Sequence, residues 1–274
     1  EMTAQVRKSK KKTGKVPAWL GGRLSFTSEL SDMLREKMQV YVDQDYSDPE
    51  INTLRPLLDL QHYESLVPSE NEFLIEYFQD REGYHLLMYP FEGRYVHEGM
   101  SALIAWRISQ IKSLSFSIAM NDYGFELLSD KEIPINEALD EGILSLENLS
   151  KDIQASENSV EMAKRRFRDI ASISGQIFRG FPGKEMKSKH LQSSSQLFFQ
   201  VFSDYEPNNL LLRQAYDEVM NFQLEESRLR KALERINEQE IRLAMLERPT
   251  PFSFPIITDR LRERLSSEKL QDRI

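Results

Sequence analysis

Residues 73–89, with the sequence FLIEYFQDREGYHLLMY, predict a β-hairpin. Two apolar runs, 73–78 and 84–89, flank a polar segment that ends in Gly83, and such a segment is typical of a tight turn. The runs are short and rich in aromatic residues, which favours strands over helices because these side chains pack well on a pleated sheet. The first antiparallel strand pair is therefore expected here.

A second hairpin is predicted at residues 115–128. Apolar side chains stand at every second position from 116 to 120, which is the period of a strand with one buried face. The chain then turns at residues 121–124 (NDYG) and returns as a second apolar run. With a helix predicted between the hairpins, from about 97 to 111, the pattern indicates an α+β fold with a small antiparallel β-barrel-like module.

Helical patterns flank this module on both sides. Two amphipathic helices are predicted after residue 26, the second opened by Asp48 as cap and by Pro49 in its first turn. From about residue 135 to the end the pattern is almost wholly helical, which predicts a predominantly helical layer against the sheet. Within that layer, the segment 180–183 (GFPG) is interpreted as a turn between helices.

The longest helix is predicted from about 208 to 247, where apolar residues fall near heptad spacing. Glu226 and Glu240 occupy positions in the apolar seam of this helix. Because charged residues break the seam, packing on the chain's own sheet is favoured over a coiled-coil dimer.

Three segments follow from these patterns. Residues 1–15 are expected to be a basic linker or disordered edge, 16–134 the α+β module with two hairpins, and 135–274 the helical region packed on it. The first residues enter a lysine-rich run with no apolar stretch behind it, so no signal peptide is predicted. We interpret this start as a cut edge within a longer protein.

Composition limits the function classes. The 274 residues are 40% hydrophobic, which can supply a sizeable core, and they contain no cysteine, which excludes disulfides, thiolate metal sites and cysteine nucleophiles. The formal net charge is −8, which argues against indiscriminate coating of nucleic acid. No apolar run reaches the roughly 20 residues of a membrane span, and a cytoplasmic location is the default expectation.

Positive charge is concentrated in two islands within this acidic chain. Residues 1–23 hold seven basic side chains and one acidic, and residues 164–190 hold eight basic and two acidic. A solvated face explains such islands as readily as a binding site does, but only these islands could hold a polyanion. The basic residues singled out in the second island are Arg165, Arg166, Arg168, Lys184, Lys187 and Lys189.

Several kinds of catalytic site find little support. The nearest string to a phosphate-binding loop, residues 180–184, is too short and is followed by Glu185. The four histidines are scattered, without the pairs at i, i+3 or i+4 that grip a metal. His97-Glu98 is better explained by a helix start, and the polar residues of 121–124 by a tight turn.

Trp19 stands in an extended, glycine-flanked stretch, residues 15–23 (KVPAWLGGR), beside the first basic island. An aromatic plate with cations on both sides can stack on an unpaired base while the charges hold the phosphates. Burial in a core is the alternative for a lone tryptophan.

Five strings in this order resemble the C-terminal region of Lhr-type (large helicase-related) superfamily 2 helicases, in particular the bacterial ligase-associated DNA damage response DEXH-box branch. The resemblance spans nearly the whole chain. Its strings are residues 16–23 (VPAWLGGR), 89–107 (YPFEGR, HEG and AWR), 121–127 (NDYGFEL), 180–194 (GFPG to LQSS) and 248–255 (RPTPFSFP). Two departures are Leu20, where a polar residue is common, and residues 25–28 (SFTS), which lack the usual proline.

The resemblance implies two upstream motor domains, which would bind ATP and Mg²⁺, and a winged helix. No cofactor is expected in this segment itself. The family moves 3′ to 5′ on single-stranded DNA and unwinds duplexes, RNA–DNA hybrids included. Trp19 matches the family tryptophan that contacts the tracking strand. Lys15 and Arg23 are then expected to neutralise adjacent phosphates, and the second basic island to extend the track.

Two other functions stay open from the sequence. The acidic helical half could join the helicase to a DNA-repair ligase or nuclease as a protein-interaction module. Alternatively, Glu92, Glu98 or Asp122 could serve a base-excision activity, an idea that rests on fold analogy alone.

Overall fold

The computed structural model describes residues 24–261, except residues 179, 182, 183 and 187. Helices and strands both contribute to this part of the chain, which confirms the α+β class. In chain order the elements are α1 (Ser28–Val42), α2 (Pro49–Glu64), β1 (Glu72–Gln79), β2 (Tyr84–Met88), α3 (Arg94–Ile111), β3 (Ser117–Met120), β4 (Phe125–Ser129), α4 (Ile135–Asp140), α5 (Leu149–Ala155), α6 (Glu157–Ile173), β5 (Gly180–Phe181), β6 (Lys184–Glu185), α7 (Ser188–Tyr205), α8 (Leu210–Glu218), a π-helix (Val219–Gln223), α9 (Glu226–Glu238) and β7 (Glu240–Leu246). Residues 253–261 form a further helix.

Local side-chain caps fix the starts of the first two helices. The Thr27 hydroxyl accepts a hydrogen bond from the Leu30 amide at 3.3 Å, and the Asp48 carboxylate accepts from two amides at the start of α2. These bonds satisfy amides that have no partner within the helix. The two amphipathic helices and the Asp48 cap are therefore confirmed.

Both predicted hairpins are present. β1 pairs antiparallel with β2, with Ile75 opposite Met88, and β3 pairs antiparallel with β4, with Met120 opposite Phe125. β2 and β4 also pair antiparallel and join the hairpins into one sheet. Helix α3 packs on this sheet, and together they bury the largest apolar cluster of the described residues.

The sheet is open and mixed, so the expected barrel-like closure is wrong. Its strand order is β3-β4-β2-β1-β7, which leaves β3 and β7 at opposite edges. β7 pairs parallel with β1 from Glu72–Glu240 to Phe78–Leu246, and closure would require pairing of the edge strands β3 and β7, which are not neighbours in the described sheet.

The long helix predicted from 208 to 247 is also wrong. Residues 210–246 instead form α8, a π-helical turn, α9 and the strand β7. The backbone leaves helical geometry at Glu225, with φ 45° and ψ 51°, and at Gln239, with φ −90° and ψ 155°. Across these breaks, α9 buries Leu229, Leu233 and Ile236 in the main core, and Leu243 of β7 packs half-buried against the same core.

A short hairpin replaces the turn predicted between helices at residues 180–183. β5 and β6 pair antiparallel, with Gly180 opposite Glu185, between α6 and α7. The segment boundaries at 16–134 and 135–274 stay a prediction, although β7 of the second segment completes the sheet of the first.

Arg107 of α3 fastens the segment that connects α4 to α5. Its guanidinium donates to the carbonyl oxygens of Ile143 at 2.8 Å, Ser145 at 2.6 Å and Glu147 at 2.7 Å, and its Nε donates to Asp152 at 3.0 Å. One fork-shaped cation thus collects carbonyl groups that no helix or strand satisfies.

No helix in the described part of the chain combines the length and the apolar character that a membrane span requires.

Candidate nucleic-acid interface

Residues 25–27 begin two positions after the string 16–23, which we call the Trp19 string, and are held against the second hairpin and the start of α3. The Phe26 amide donates to the Asp122 carboxylate at 3.3 Å, and the Tyr95 amide donates to the Ser25 hydroxyl at 3.4 Å. The Phe26 ring packs edge-to-face on Tyr123, with 5.5 Å between ring centroids. We call residues 25–27 the anchor segment.

Gly93 allows the anchor segment to come this close. Its backbone has φ +89°, which L side chains rarely adopt, and a Cβ atom there would lie 2.6 Å from the Ser25 hydroxyl. Asp122 joins the anchor segment to the start of α3, because the carboxylate oxygen that accepts from the Phe26 amide also accepts from the Arg94 amide at 2.9 Å. Two strings of the resemblance, 89–107 and 121–127, therefore meet where the anchor segment is bound.

Glu92 contacts three arginines from distant parts of the chain, one of which also bonds the anchor segment. Its side chain is 9% exposed and accepts from Arg35 at 2.8 Å and Arg235 at 3.1 Å. Arg228 donates to the Glu92 carbonyl at 2.6 Å and, through its other terminal nitrogen, to the Phe26 carbonyl at 3.0 Å. We call Glu92 with these three arginines the Glu92 cluster.

Burial lowers the pKa of Arg235, and the neighbouring positive charge of Arg35 lowers it further, whereas Glu92 opposes the shift. Asp32 pairs with Arg35 and Glu225 with Arg228, so each of these two cations has a second anionic partner. With Asp32 and Glu225, the cluster has three negative charges for its three arginines. It holds the anchor segment through the bond from Arg228 to the Phe26 carbonyl.

His97 has a structural role in the same region. Burial lowers the pKa of His97 to about 4, so the imidazole is neutral at pH 7. Its Nε2 accepts from the Glu92 amide at 3.1 Å and its Nδ1 donates to the Asn121 carbonyl at 2.7 Å. This bridge joins the start of α3 to the turn, whereas the predicted capping role is not observed, because α3 begins at Arg94 with Gly93 as its cap and without a side-chain cap bond.

Asn121 closes the turn by accepting from the amides of Tyr123 and Gly124, at 2.9 and 3.1 Å. The turn interpretation of residues 121–124 is thereby confirmed. Among the residues that the structure describes, histidine, aspartate and glutamate side chains form no group of three that could hold a metal ion.

The late string 248–255 contacts a buried carboxylate on the central sheet. Glu76 of β1 accepts from the Thr250 hydroxyl at 2.8 Å, the Tyr89 hydroxyl at 2.6 Å and the Gln61 amide group at 2.9 Å. Glu76 therefore attaches the chain after β7 to α2 and to the sheet.

Only some of the sequence-predicted binding residues lie in the part of the chain that the structure describes. Lys15, Trp19, Arg23 and Lys187 lie outside the described residues, as do the side chains of Lys184 on β6 and Lys189 on α7. Arg165, Arg166 and Arg168 all lie on α6. Arg166 pairs with Glu218 of α8, whereas Arg165 and Arg168 form no ion pair with another described residue.

The sequence interpretation missed the three arginines of the Glu92 cluster. They lie on α1 and α9, up to 143 positions from Glu92 along the chain, and helical periodicity gives no sign of this convergence. The available signal was Glu92 and Gly93 of the string 89–107 and Asp122 of the string 121–127; from the sequence, Asp122 is explained by a tight turn and Glu92 is considered only for base excision.

The fold and the anchored segment define an α+β domain with an open, mixed five-stranded sheet. The same fold occurs in the solved helicase Lhr of Mycobacterium smegmatis, described as bound to ssDNA and AMP-PNP, with a TM-score of 0.64 and 19% identity over 89% of this chain and 33% of that one. The chain belongs to the DEAD/H associated family, whose profile matches residues 67–253.

Curated relatives support the same assignment. The chain is 25% identical over 253 residues to the ATP-dependent helicase Lhr-Core of Methanocaldococcus jannaschii, covering 88% of this chain and 30% of the relative. It is 25% identical over 192 residues to Lhr-Core protein 2 of Thermococcus barophilus, covering 69% and 22%. The resemblance to the C-terminal region of Lhr-type helicases is therefore confirmed, and the chain spans less than a third of these relatives' length.

Proposed function

We propose that this domain holds single-stranded nucleic acid for an ATP-dependent helicase of the Lhr type. The observation that carries the proposal is the anchor segment. Two residues of the family strings act on it, since Asp122 bonds it directly and Gly93 leaves room for its close approach, and Arg228 binds it from α9. The Trp19 string ends two residues before the anchor segment in the sequence. A fixed anchor segment would therefore restrict the positions that the Trp19 string can take.

In the proposed mechanism, Trp19 lies flat on an unpaired base. Lys15 and Arg23 neutralise the phosphates on either side, and Arg165 and Arg168 on α6 extend the positive track, with the lysines of residues 184–189. Stacking and phosphate contacts are largely independent of base sequence, as a translocating enzyme requires.

The parent protein is proposed to work as a DNA-repair helicase of the bacterial ligase-associated branch, moving 3′ to 5′ on DNA and on RNA–DNA hybrids. ATP and Mg²⁺ would be bound by motor domains outside this chain. The protein-interaction and base-excision alternatives gain no specific support; in particular, the carboxylates of Glu92 and Asp122 are already occupied by structural partners.

Replacing Trp19 with alanine is expected to weaken binding of a fluorescein-labelled oligo(dT) about 5- to 150-fold, the loss of one stacked base. Fluorescence anisotropy at fixed salt measures the affinity. Trp19→Phe, which keeps an aromatic face, should retain most of it. An alanine variant that binds like the parent would remove Trp19 from the mechanism.

The salt dependence of binding should report the arginines of α6. Each lost phosphate contact is expected to reduce the slope of log K against log salt concentration by about 0.7 for a single strand. We therefore expect lower slopes for Arg165→Ala and Arg168→Ala. Arg242→Ala, on the edge strand β7, should leave the slope unchanged, and equal slopes for all three variants would exclude α6 from the track.

A further inference from the structure

Two exposed phenylalanines lie together beyond the end of α6. Phe178 is 57% exposed and Phe181 67%, and their rings pack edge-to-face with 5.1 Å between centroids. Aromatic surface in water is unfavourable, and an exposed apolar cluster marks a binding site more often than a lone apolar residue does. We call these two residues the Phe178–Phe181 pair.

The backbone after α6 fixes the position of Phe178. After α6, Gly175 takes a left-handed conformation with φ +80°, and the Ile177 amide donates to the Ala171 carbonyl at 3.0 Å. The Ile177 side chain is 5% exposed and belongs to the main core. The chain therefore folds back on the last turn of α6, and Phe178 emerges directly after a buried residue.

Cations lie on the helix that leads to the pair. Arg165, Arg168 and Ser172 are three and four positions apart, so they share one face of α6. Arg165 is exposed and Arg168 half-buried, and neither forms an ion pair with another described residue. Ala171, which binds Ile177, is about 4.5 Å along the helix axis from Arg168, so the pair follows the arginines by about one turn.

We propose that the Phe178–Phe181 pair is a second stacking site for unpaired bases, with Arg165 and Arg168 on the neighbouring phosphates. This proposal rests on the proposed function and adds a contact to it that is separate from Trp19. Charge decides the occupant: residues 164–190 hold eight basic and two acidic side chains, which suits a polyanion. Single strands are bound by aromatic faces combined with a positively charged track, and the Phe178–Phe181 pair follows the helix that carries Arg165 and Arg168.

The test is titration of the complete 274-residue chain with fluorescein-labelled oligo(dT) at fixed salt. Phe181→Ala is expected to weaken binding about 5- to 150-fold, and Phe178→Ala to weaken it in the same direction. Phe181→Trp should bind at least as tightly as the parent, because indole also stacks. Phe181→Leu should bind almost as weakly as the alanine variant, because leucine is apolar but has no aromatic face.

Tyr205→Ala is the matched control. This tyrosine is an aromatic residue that is 81% exposed, but it lies between Asp204 and Glu206, where a polyanion would be repelled. Its removal should leave the affinity unchanged. Thermal melting of every variant establishes that each is folded at the temperature of the titration.

Each outcome decides between this site and the Trp19 site. If Trp19→Ala weakens binding while both phenylalanine variants bind like the parent, the second stacking site is wrong and the proposed function stands. Parent-like affinity of Phe181→Leu would overturn stacking, since only apolar area would then be needed. A weakened Phe181→Ala with an unchanged Trp19→Ala supports the pair alone. If the parent chain does not bind oligo(dT), both proposals fail.

Discussion

Replacing Arg107 with alanine is expected to destabilise the fold by about 3–5 kcal/mol, the range for removing one partner of a buried ion pair. The Arg107 side chain is 9% exposed, and its loss would leave three carbonyl oxygens and the Asp152 carboxylate without their donor. Unpaired buried polar groups carry the full cost of desolvation. Urea unfolding followed by circular dichroism measures the change in the free energy of unfolding.

Two variants make this prediction specific. Arg107→Lys keeps the positive charge, but lysine has a single side-chain nitrogen, whereas Arg107 donates through three. We therefore expect this variant to recover only part of the stability. Arg242→Ala removes an arginine that is 45% exposed and paired at the surface, and should cost less than about 1 kcal/mol. Equal stability of the Arg107→Ala variant and the parent would contradict the role of Arg107.

The local parts of this fold could be predicted from the sequence, because short-range chemistry determines them. The residues of 121–124 form the turn that their types demand, and Asp48 caps the helix that Pro49 opens. Alternation over 116–120 correctly indicated a strand. Each of these features depends on neighbours a few positions away, so a single sequence contains the whole signal.

The barrel prediction was wrong because the order of strands in a sheet depends on pairs that are distant in sequence. β7 pairs with β1 across more than 160 positions, and no local period indicates which edge a strand will cover. The pairing of Arg166 with Glu218 on α8 could not be predicted for the same reason. The second basic island therefore includes a cation that forms an ion pair in the fold. Charge counts locate basic segments, whereas only the fold separates structural arginines from available ones.

Replacing Glu92 with alanine is expected to destabilise the protein by about 3–5 kcal/mol and also to weaken binding of single-stranded DNA. The substitution leaves Arg35 and Arg235 without their shared carboxylate, at a site where Arg235 already carries a pKa lowered by burial. Arg228 would lose its nearby negative charge as well, 3.7 Å away, and with it part of the force that holds the Phe26 carbonyl.

The double effect distinguishes Glu92 from Arg107. Both variants should lose stability in urea, but only Glu92→Ala disturbs the anchor segment on which the Trp19 string depends. We therefore expect amide hydrogen exchange at residues 25–27 to quicken in Glu92→Ala and not in Arg107→Ala, at a temperature where both are folded. Oligo(dT) affinity should fall in parallel with that exchange. If Glu92→Ala binds DNA as tightly as Arg107→Ala does, the anchor segment does not support the Trp19 string.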